Sequence, residues 1–494
     1  MIEPAVLERL KDIVGSEFAT DDPEVCIAYS RDLATYLKFG KYRSPDCVVL
    51  PSTTSEVQNI VAVARQFKTP LIPLGSGINV ASAHIPRKGG IIMDLRRMNN
   101  ILEIDEEAVT ATLQPHVTIA RMSTELQRKG FFIPVPGAPS TVTVGSNYTH
   151  GNTNKASLRF GFQYSHIVSV EMVLPDGSLL RTGSWADAFS GDRSWPRGPG
   201  PDLTLLPRYA LGLHGIVTGI TIKAHPLDDI CLPIWAAFEH VEDATPAFVE
   251  MVHREICTGS SLYGGFKYNS YSADTAECAW RQSRIHPEFI LALTIQGSKR
   301  RVAFEEKVVR ELTDKNNGRI ITDRLPFYQM FVDTHMAMSA SLYSEFAFKY
   351  WASPGAGPSF LGPSSMDKII PCFKAMTNLA SEDEAFGDVD WGNWEFNRSM
   401  IAYPDQGGHF AIIEGGIAAH PTDPKAIKAY KRYVPKLIKA LADIGVSPDQ
   451  SRANTRPGEF GISPEYLELA EKFRHALDEV GIMNPGVISP LIYR

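Results

Sequence analysis

Apolar residues recur along this chain with two periods, and the switches between them outline its elements. Residues 4–16 place Val6, Leu7, Leu10 and Ile13 on one helical face. A second helix is predicted to start at the Thr53-Thr54 pair, with Glu56 following Thr53 in capping-box spacing. Residues 70–73 predict a short buried strand that runs into Gly75-Ser76-Gly77. Alternation in Ile101-Leu102-Glu103-Ile104 and in Val109-Thr110-Ala111-Thr112-Leu113 predicts a hairpin. Ile119, Met122 and Leu126 share a face of a helix ending near Arg128. Residues 170–174 and 178–183 read as strands joined by a tight turn at Asp176-Gly177.

Beyond residue 227, strand-like runs at 234–238, 289–296 and 410–417 alternate with helix-like runs at 245–257, 303–312 and 424–441. That order predicts an antiparallel sheet flanked by helices, an α+β arrangement. Gly/Pro-rich stretches at 191–201 and 351–363 read as long loops beside a functional surface. A chain of 494 residues predicts two or three domains.

Composition narrows the function classes. The net charge of −7 and the lack of a basic stripe argue against nucleic acid as a partner. No apolar run approaches the roughly 18 residues of a membrane span. Met1-Ile2-Glu3-Pro4 does not open a secretory signal, so a cytoplasmic location is expected. Cys26, Cys47, Cys231, Cys257, Cys278 and Cys372 form no Cys-x-x-Cys pair, which predicts buried free thiols rather than a zinc site or disulfide framework.

The chemistry concentrates in two glycine-rich passages. The first is Pro73-Leu74-Gly75-Ser76-Gly77-Ile78-Asn79. Glycines let the backbone approach a ligand, and successive N–H groups form a nest that suits an anion such as a pyrophosphate. A Gly-x-Gly turn alone occurs in many loops without a ligand. Val80 stands where a dinucleotide fingerprint would carry its third glycine, so the pattern is not that of a Rossmann fold. The second passage runs from Val135-Pro136-Gly137 through Ser140, Thr143, Val144, Gly145, Ser146 and Asn147 to Gly151, again small and hydroxylated.

The order of these blocks resembles the FAD-binding domain of the vanillyl-alcohol oxidase and p-cresol methylhydroxylase superfamily. Tyr29-Ser30-Arg31-Asp32 resembles the Tyr-Ser-x-Asp that precedes its first strand. Gly215-Ile216-Val217-Thr218-Gly219 and the closing Gly481-Ile482-Met483-Asn484-Pro485-Gly486 also match the family's pattern. The likeness covers about the first 227 residues and the last 40 or so. It implies a two-part FAD-binding domain, residues 1–227 and 447–494, with a cap over the substrate side of the flavin at 228–446. By the same resemblance Pro73 to Asn79, the named residues between Pro136 and Gly151, Ile216, Val217 and Asn484 would touch FAD.

The first glycine loop holds no His or Cys, which closes one route of covalent attachment known in the family. His409, His420 and Tyr403 are the candidates for another, and non-covalent FAD is expected. The glycolate and D-lactate branch carries metal- or carboxylate-binding histidines in its closing motif. Here that place reads Gly458-Glu459-Phe460-Gly461, and phenylalanine cannot ligate a metal. No metal is therefore expected. The phenol-oxidising branch sets a Tyr and an Arg near the same stretch, where this chain has Ser451-Arg452. Arg452 is the candidate for holding an anionic group, with Arg456 second. His409, Glu395 and His335 are candidate bases.

The resemblance thus implies an FAD-dependent oxidoreductase that oxidises an aromatic or bulky alcohol by hydride transfer to the flavin. Two other readings accompany it: a D-2-hydroxy-acid dehydrogenase without the usual metal histidines, and a flavin-fold protein without redox turnover. The expected partner is a small organic molecule. The electron acceptor is left open, and family precedent suggests a homodimer.

Overall fold

A computed structural model describes residues 2–32, 44–78, 82–136, 138–150, 154, 156–188, 195–264, 287–322, 356–381, 400–418, 424–447 and 463–487. Among these residues the chain builds three main sheets, and helices cover them.

The first sheet orders its strands Ala19–Thr20, Cys47–Val49, Ile91–Asp94 and Leu71–Leu74. The last three run parallel, and Cys47, Val48, Val49, Ile91, Ile92 and Met93 are fully buried. Strands buried on both faces read as continuous apolar runs, which is why these lack alternation. The helices Pro4–Val14 and Thr54–Gln66 close one side, with Leu10, Val57, Ile60 and Val61 in the core. The start of Thr54–Gln66 departs from the expected reciprocal box. Thr53 accepts from the Glu56 N–H at 3.1 Å, but the Glu56 carboxylate reaches back one residue further, to the Ser52 N–H at 2.6 Å.

The second sheet is antiparallel in the order Ile101–Asp105, Thr110–Leu113, Ile216–Lys223, Ile167–Val173, Leu179–Arg181. It contains the expected hairpin of residues 101–113. Strand Ile216–Lys223 lies between two cores. Ile216 packs with the first sheet, and Ile220 and Ile222 pack toward the third.

The third sheet has the order Arg319–Ile320, Ile230–Phe238, Phe289–Gly297, Gly259–Gly264, Met400–Asp405, Phe410–Ala418, Ala356–Ser364, antiparallel throughout. One face is covered by the helices Val241–His253, Lys299–Lys315, Ile369–Ser381 and Pro424–Ile444. The other face turns toward the second sheet.

Two expectations change here. Part of the stretch read as a loop at 351–363 is the strand Ala356–Ser364. Its prolines hid it, but it is the edge strand, where a residue without an N–H is tolerated, and its ladder shifts register between Pro358 and Phe360. The helix expected at 245–257 is Val241–His253. It admits Pro246 in its interior and stops where Glu255 and Cys257 take positive φ.

Candidate functional site

The strand Leu71–Leu74 buries Leu71, Ile72 and Leu74, and so carries the following glycine loop rigidly. Gly75 sits against the second glycine-rich passage. A Cβ there would lie 2.9 Å from Thr143 Oγ1 and from Ser146 Cβ and Oγ. Protein packing alone therefore excludes a side chain at Gly75. Gly77 differs: its φ is +71°, and a Cβ would meet only Leu74 Cδ1, at 3.7 Å. Its need for glycine comes from backbone conformation. The residues expected to approach a ligand for one reason are thus glycines for two. Asn79, Gly137 and Gly151 lie outside the described residues.

The second passage is more ordered than its composition suggested. Val144–His150 is a short helix. Gly145 is pressed onto the preceding segment, where a Cβ would stand 2.7 Å from Pro115 Cα. Thr143 Oγ1 and Ser146 Oγ hydrogen-bond at 2.7 Å. Val144, Gly145 and Asn147 are buried, as are Ser140 and Pro136. Ile78 is exposed, whereas Pro73 and Ser76 are half-buried.

Asn484 acts as a staple. Its backbone N–H donates to the Leu71 carbonyl at 2.9 Å, and its side-chain amide donates to Ala83 and Leu211 carbonyls at 2.9 and 2.7 Å. It ties the C-terminal segment to both ends of the glycine-loop region. Ile216 is buried in the first core, while Val217 packs against the second core.

Behind the glycine loop lies a polar hub that the sequence did not reveal as such. Asp94 is fully buried and accepts from the Tyr29 hydroxyl at 2.9 Å and the Arg96 Nε at 2.7 Å. Burial and Asp94 push the Tyr29 phenol up to about 12. Asp32 accepts from the Ser82 N–H at 2.7 Å and from its hydroxyl at 3.1 Å. Both ends of Tyr29-Ser30-Arg31-Asp32 therefore brace the loop's surroundings, a physical reason for that tetrapeptide.

The second core is the seam between the second sheet with its helices and the third sheet. It joins Tyr148, Phe162 and Tyr164 to Trp235, Tyr263, Ile401, Tyr403 and Ile412. Within or beside this apolar seam stand polar groups with no hydrogen-bond partner among the described residues: both side-chain atoms of Asn147, the Tyr148 hydroxyl, His150 Nδ1 and both oxygens of Asp405. Leaving such a group unpaired costs about 1–3 kcal/mol. These four residues lie in one region and are polar groups that a bound molecule would satisfy. Burial lowers His150 to about 4, so it is neutral near pH 7, and raises the Tyr148 hydroxyl above its ordinary range.

Asp405 ends the strand Met400–Asp405 and is fully buried. Burial raises its carboxyl to about 7, and the Gln406 backbone and the Arg208 guanidinium offset this only in part. Arg208 lies 3.3 Å over the Tyr164 ring, and Gln406 Nε2 donates to the Tyr164 hydroxyl at 3.2 Å. Of the three candidate catalytic residues, His409 stands at the end of the turn after Asp405 and is exposed. Arg452 and Glu395 lie outside the described residues, as do His335, His420 and Arg456. The sequence reading passed over Asp405, Tyr148 and His150. Its one available signal was Asp405-Gln406-Gly407-Gly408 between two apolar strands, a turn that places an acid at a strand's end.

Comparison with known proteins bears on this geometry. A family model described as an FAD binding domain matches residues 45–183. The glycolate oxidase subunit GlcD of Bacillus subtilis (strain 168) is 31% identical over 258 residues, 52% of this chain and 52% of that protein. The chain spans about half the length of curated relatives such as this one. Two solved structures share the fold over nearly the whole chain. The 4-ethylphenol oxidase of Gulosibacter chungangensis, in complex with isoeugenol, has a TM-score of 0.83 at 18% identity, covering 99% of this chain and 98% of that one. p-Cresol methylhydroxylase with substrate bound has a TM-score of 0.81 at 17% identity, covering 99% and 97%. The residues present fit FAD: a loop turning through positive φ at Gly77, small residues beside it, and the unpaired amide of the buried Asn147 on the adjoining helix. Among the described residues no helix is long and apolar enough to cross a membrane.

Proposed function

Because the chain carries an FAD-binding domain within a fold of the vanillyl-alcohol oxidase and p-cresol methylhydroxylase type, we propose that it is an FAD-dependent oxidoreductase acting on an aromatic or otherwise bulky alcohol. The observation that carries the substrate reading is the seam. Trp235, Tyr263 and Tyr403 present an aromatic sheet face toward Tyr148, Phe162 and Tyr164. An apolar wall with a few convergent polar groups suits a ring-bearing substrate better than a small, highly solvated hydroxy acid.

In this reading residues 1–227 and 447–494 hold FAD without a covalent bond, and residues 228–446 cap it. Bound FAD supplies the hydride acceptor. The chain's own part is to bind, orient and exclude water. The loop Pro73–Ile78 and residues 140–147 line the cofactor, and the third sheet closes over the substrate. The Asn147 amide, the Tyr148 hydroxyl and His150 Nδ1 are the groups available to orient polar atoms in the seam. Arg452 would offset negative charge left on the bound molecules, an effect that is larger in a dry site than in water.

A second reading, a D-2-hydroxy-acid dehydrogenase, draws on the sequence likeness to the glycolate oxidase subunit. Anaerobic mixing separates the two. The purified protein should be yellow and release its flavin on acid precipitation. Benzylic alcohols and 4-alkylphenols should bleach it, whereas D-lactate and glycolate should not. The reverse pattern selects the hydroxy-acid reading. Retention of colour with both classes selects a flavin-binding protein without turnover.

A further inference from the structure

We infer that Asn484 is a positioning residue for the cofactor site, and that docking of residues 478–487 on the first sheet is coupled to FAD binding. This rests on the FAD reading above.

The segment is fastened at its start. Asp478 is buried, and its carboxylate accepts from the N–H groups of Gly481, Ile482 and Met483 at 2.9, 3.1 and 2.8 Å. The chain then pairs with Leu71–Leu74, the last strand in the order of the first sheet. The Leu71 N–H donates to the Ile482 carbonyl at 2.8 Å, and the Asn484 N–H donates to the Leu71 carbonyl at 2.9 Å. This parallel bridge sets the segment beside the strand that delivers the glycine loop. Ile482 and Met483 fill the first core.

Asn484 leaves the bridge at φ +37°, a left-handed conformation that asparagine tolerates better than most residues. Its amide nitrogen carries two hydrogens, and the Ala83 and Leu211 carbonyls take them at 2.9 and 2.7 Å. These partners lie 401 and 273 residues earlier, so only the docked segment supplies this donor. Ala83 follows Ser82, which Asp32 holds through two hydrogen bonds. Leu211 precedes Gly212, where a Cβ would stand 2.5 Å from Pro73 Cγ at the foot of the glycine loop. The same stretch runs through Gly215, at φ +138°, into the strand Ile216–Lys223. One amide thus sets the spacing between the far side of the glycine loop and the turn that leads to Ile216 and Val217. Both of its hydrogens are spent, so this nitrogen acts on a cofactor through those two walls. Alanine would leave both carbonyls without their donor. Linkage then fixes the converse: if docking of the segment raises FAD affinity, bound FAD favours docking by the same factor.

The test is hydrogen exchange of the wild-type protein with and without FAD, read on peptides by mass spectrometry, alongside FAD titration by quenching of flavin fluorescence. FAD should slow exchange in a peptide spanning 478–487 by roughly tenfold or more, while the helix Lys299–Lys315 in the outer layer of the third sheet is unchanged. Asn484→Ala should weaken FAD by roughly tenfold or more, the worth of one or two hydrogen bonds that orient a site. FAD should also protect 478–487 less in that variant than in wild type. No added protection of this peptide in the wild type overturns the inference. So does an equal gain in Lys299–Lys315, which would mean that FAD stabilises the fold as a whole. An Asn484→Ala protein that binds FAD as tightly as wild type overturns it too. If that variant fails to fold, the wild-type comparison decides alone. Wild-type protein that takes up no FAD overturns the cofactor reading itself, an outcome distinct from all of these.

Discussion

Asp405→Asn offers the sharpest check on the seam. The substitution keeps the shape of the side chain and removes its ability to ionise. In the folded protein the carboxyl is fully buried and raised from 3.8 to about 7. Each pKa unit corresponds to about 1.4 kcal/mol. The gap is therefore worth on the order of 4 kcal/mol of penalty on the charged form. The sign follows from proton binding. Between about pH 4 and about pH 7 the unfolded chain has released this proton and the folded chain still holds it. Stability then falls as pH rises. The contribution is full below about pH 4, is lost progressively up to about pH 7, and is constant above that. The Asp405→Asn protein would carry no such slope. It would still bury an unpaired amide, a pH-independent cost of about 1–3 kcal/mol. The informative quantity is thus the difference between the two proteins as a function of pH. Urea unfolding of apo-protein at several pH values should show the wild type losing stability relative to Asp405→Asn across this window, by up to about 4 kcal/mol. A difference that stays flat would mean that the folded carboxylate is ionised and compensated, and the argument would fail.

Three further predictions concern the cofactor and the reaction centre. Gly75→Ala should lower both FAD content and the melting temperature of the apo-protein, because the new methyl meets Thr143 and Ser146 at 2.9 Å, an overpacking cost of about 1–3 kcal/mol. Gly77→Val should give soluble, colourless protein; equal flavin stoichiometry in wild type and variant would remove the loop from the phosphate site. Arg452→Ala should slow flavin reduction by substrate about a hundredfold with FAD content nearly unchanged. Arg452→Lys should recover part of that rate, since an ammonium lacks the planar fork. Stopped-flow bleaching at the wild-type rate would make Arg452 a surface residue.

Local patterning carried much of the architecture. The hairpin of residues 101–113 alternates, the helix Ile119–Gln127 has its cap at Thr118, and the third-sheet strands Ile230–Phe238 and Phe289–Gly297 are long, mostly apolar runs. Each signal is short-range, so each survives in the sequence. The failures were also local in cause. Pro358 and Pro363 argue against a strand unless the strand is known to lie at an edge, and edge position is a property of the assembled sheet. The helix expected from residue 245 starts at Val241 and forms around Pro246, because it buries Ala244, Ala247, Phe248 and Met251 in the core beneath the third sheet's helices.

The site divides along the same line. The glycine-rich passages were legible because close backbone approach and positive φ restrict residue type at a single position, whatever surrounds it. Their reasons were not. Gly75 is a glycine because Thr143 and Ser146, some seventy residues away, fill the space beside it. Tyr29, Asp94 and Arg96 become one hub only when the first sheet brings them together. Asp405 reads as an ordinary acid in a turn until two halves of the chain bury it. Composition and period register what a residue costs its own neighbourhood. Contact between distant segments sets its solvation, its partners and its charge, and those belong to the packed chain.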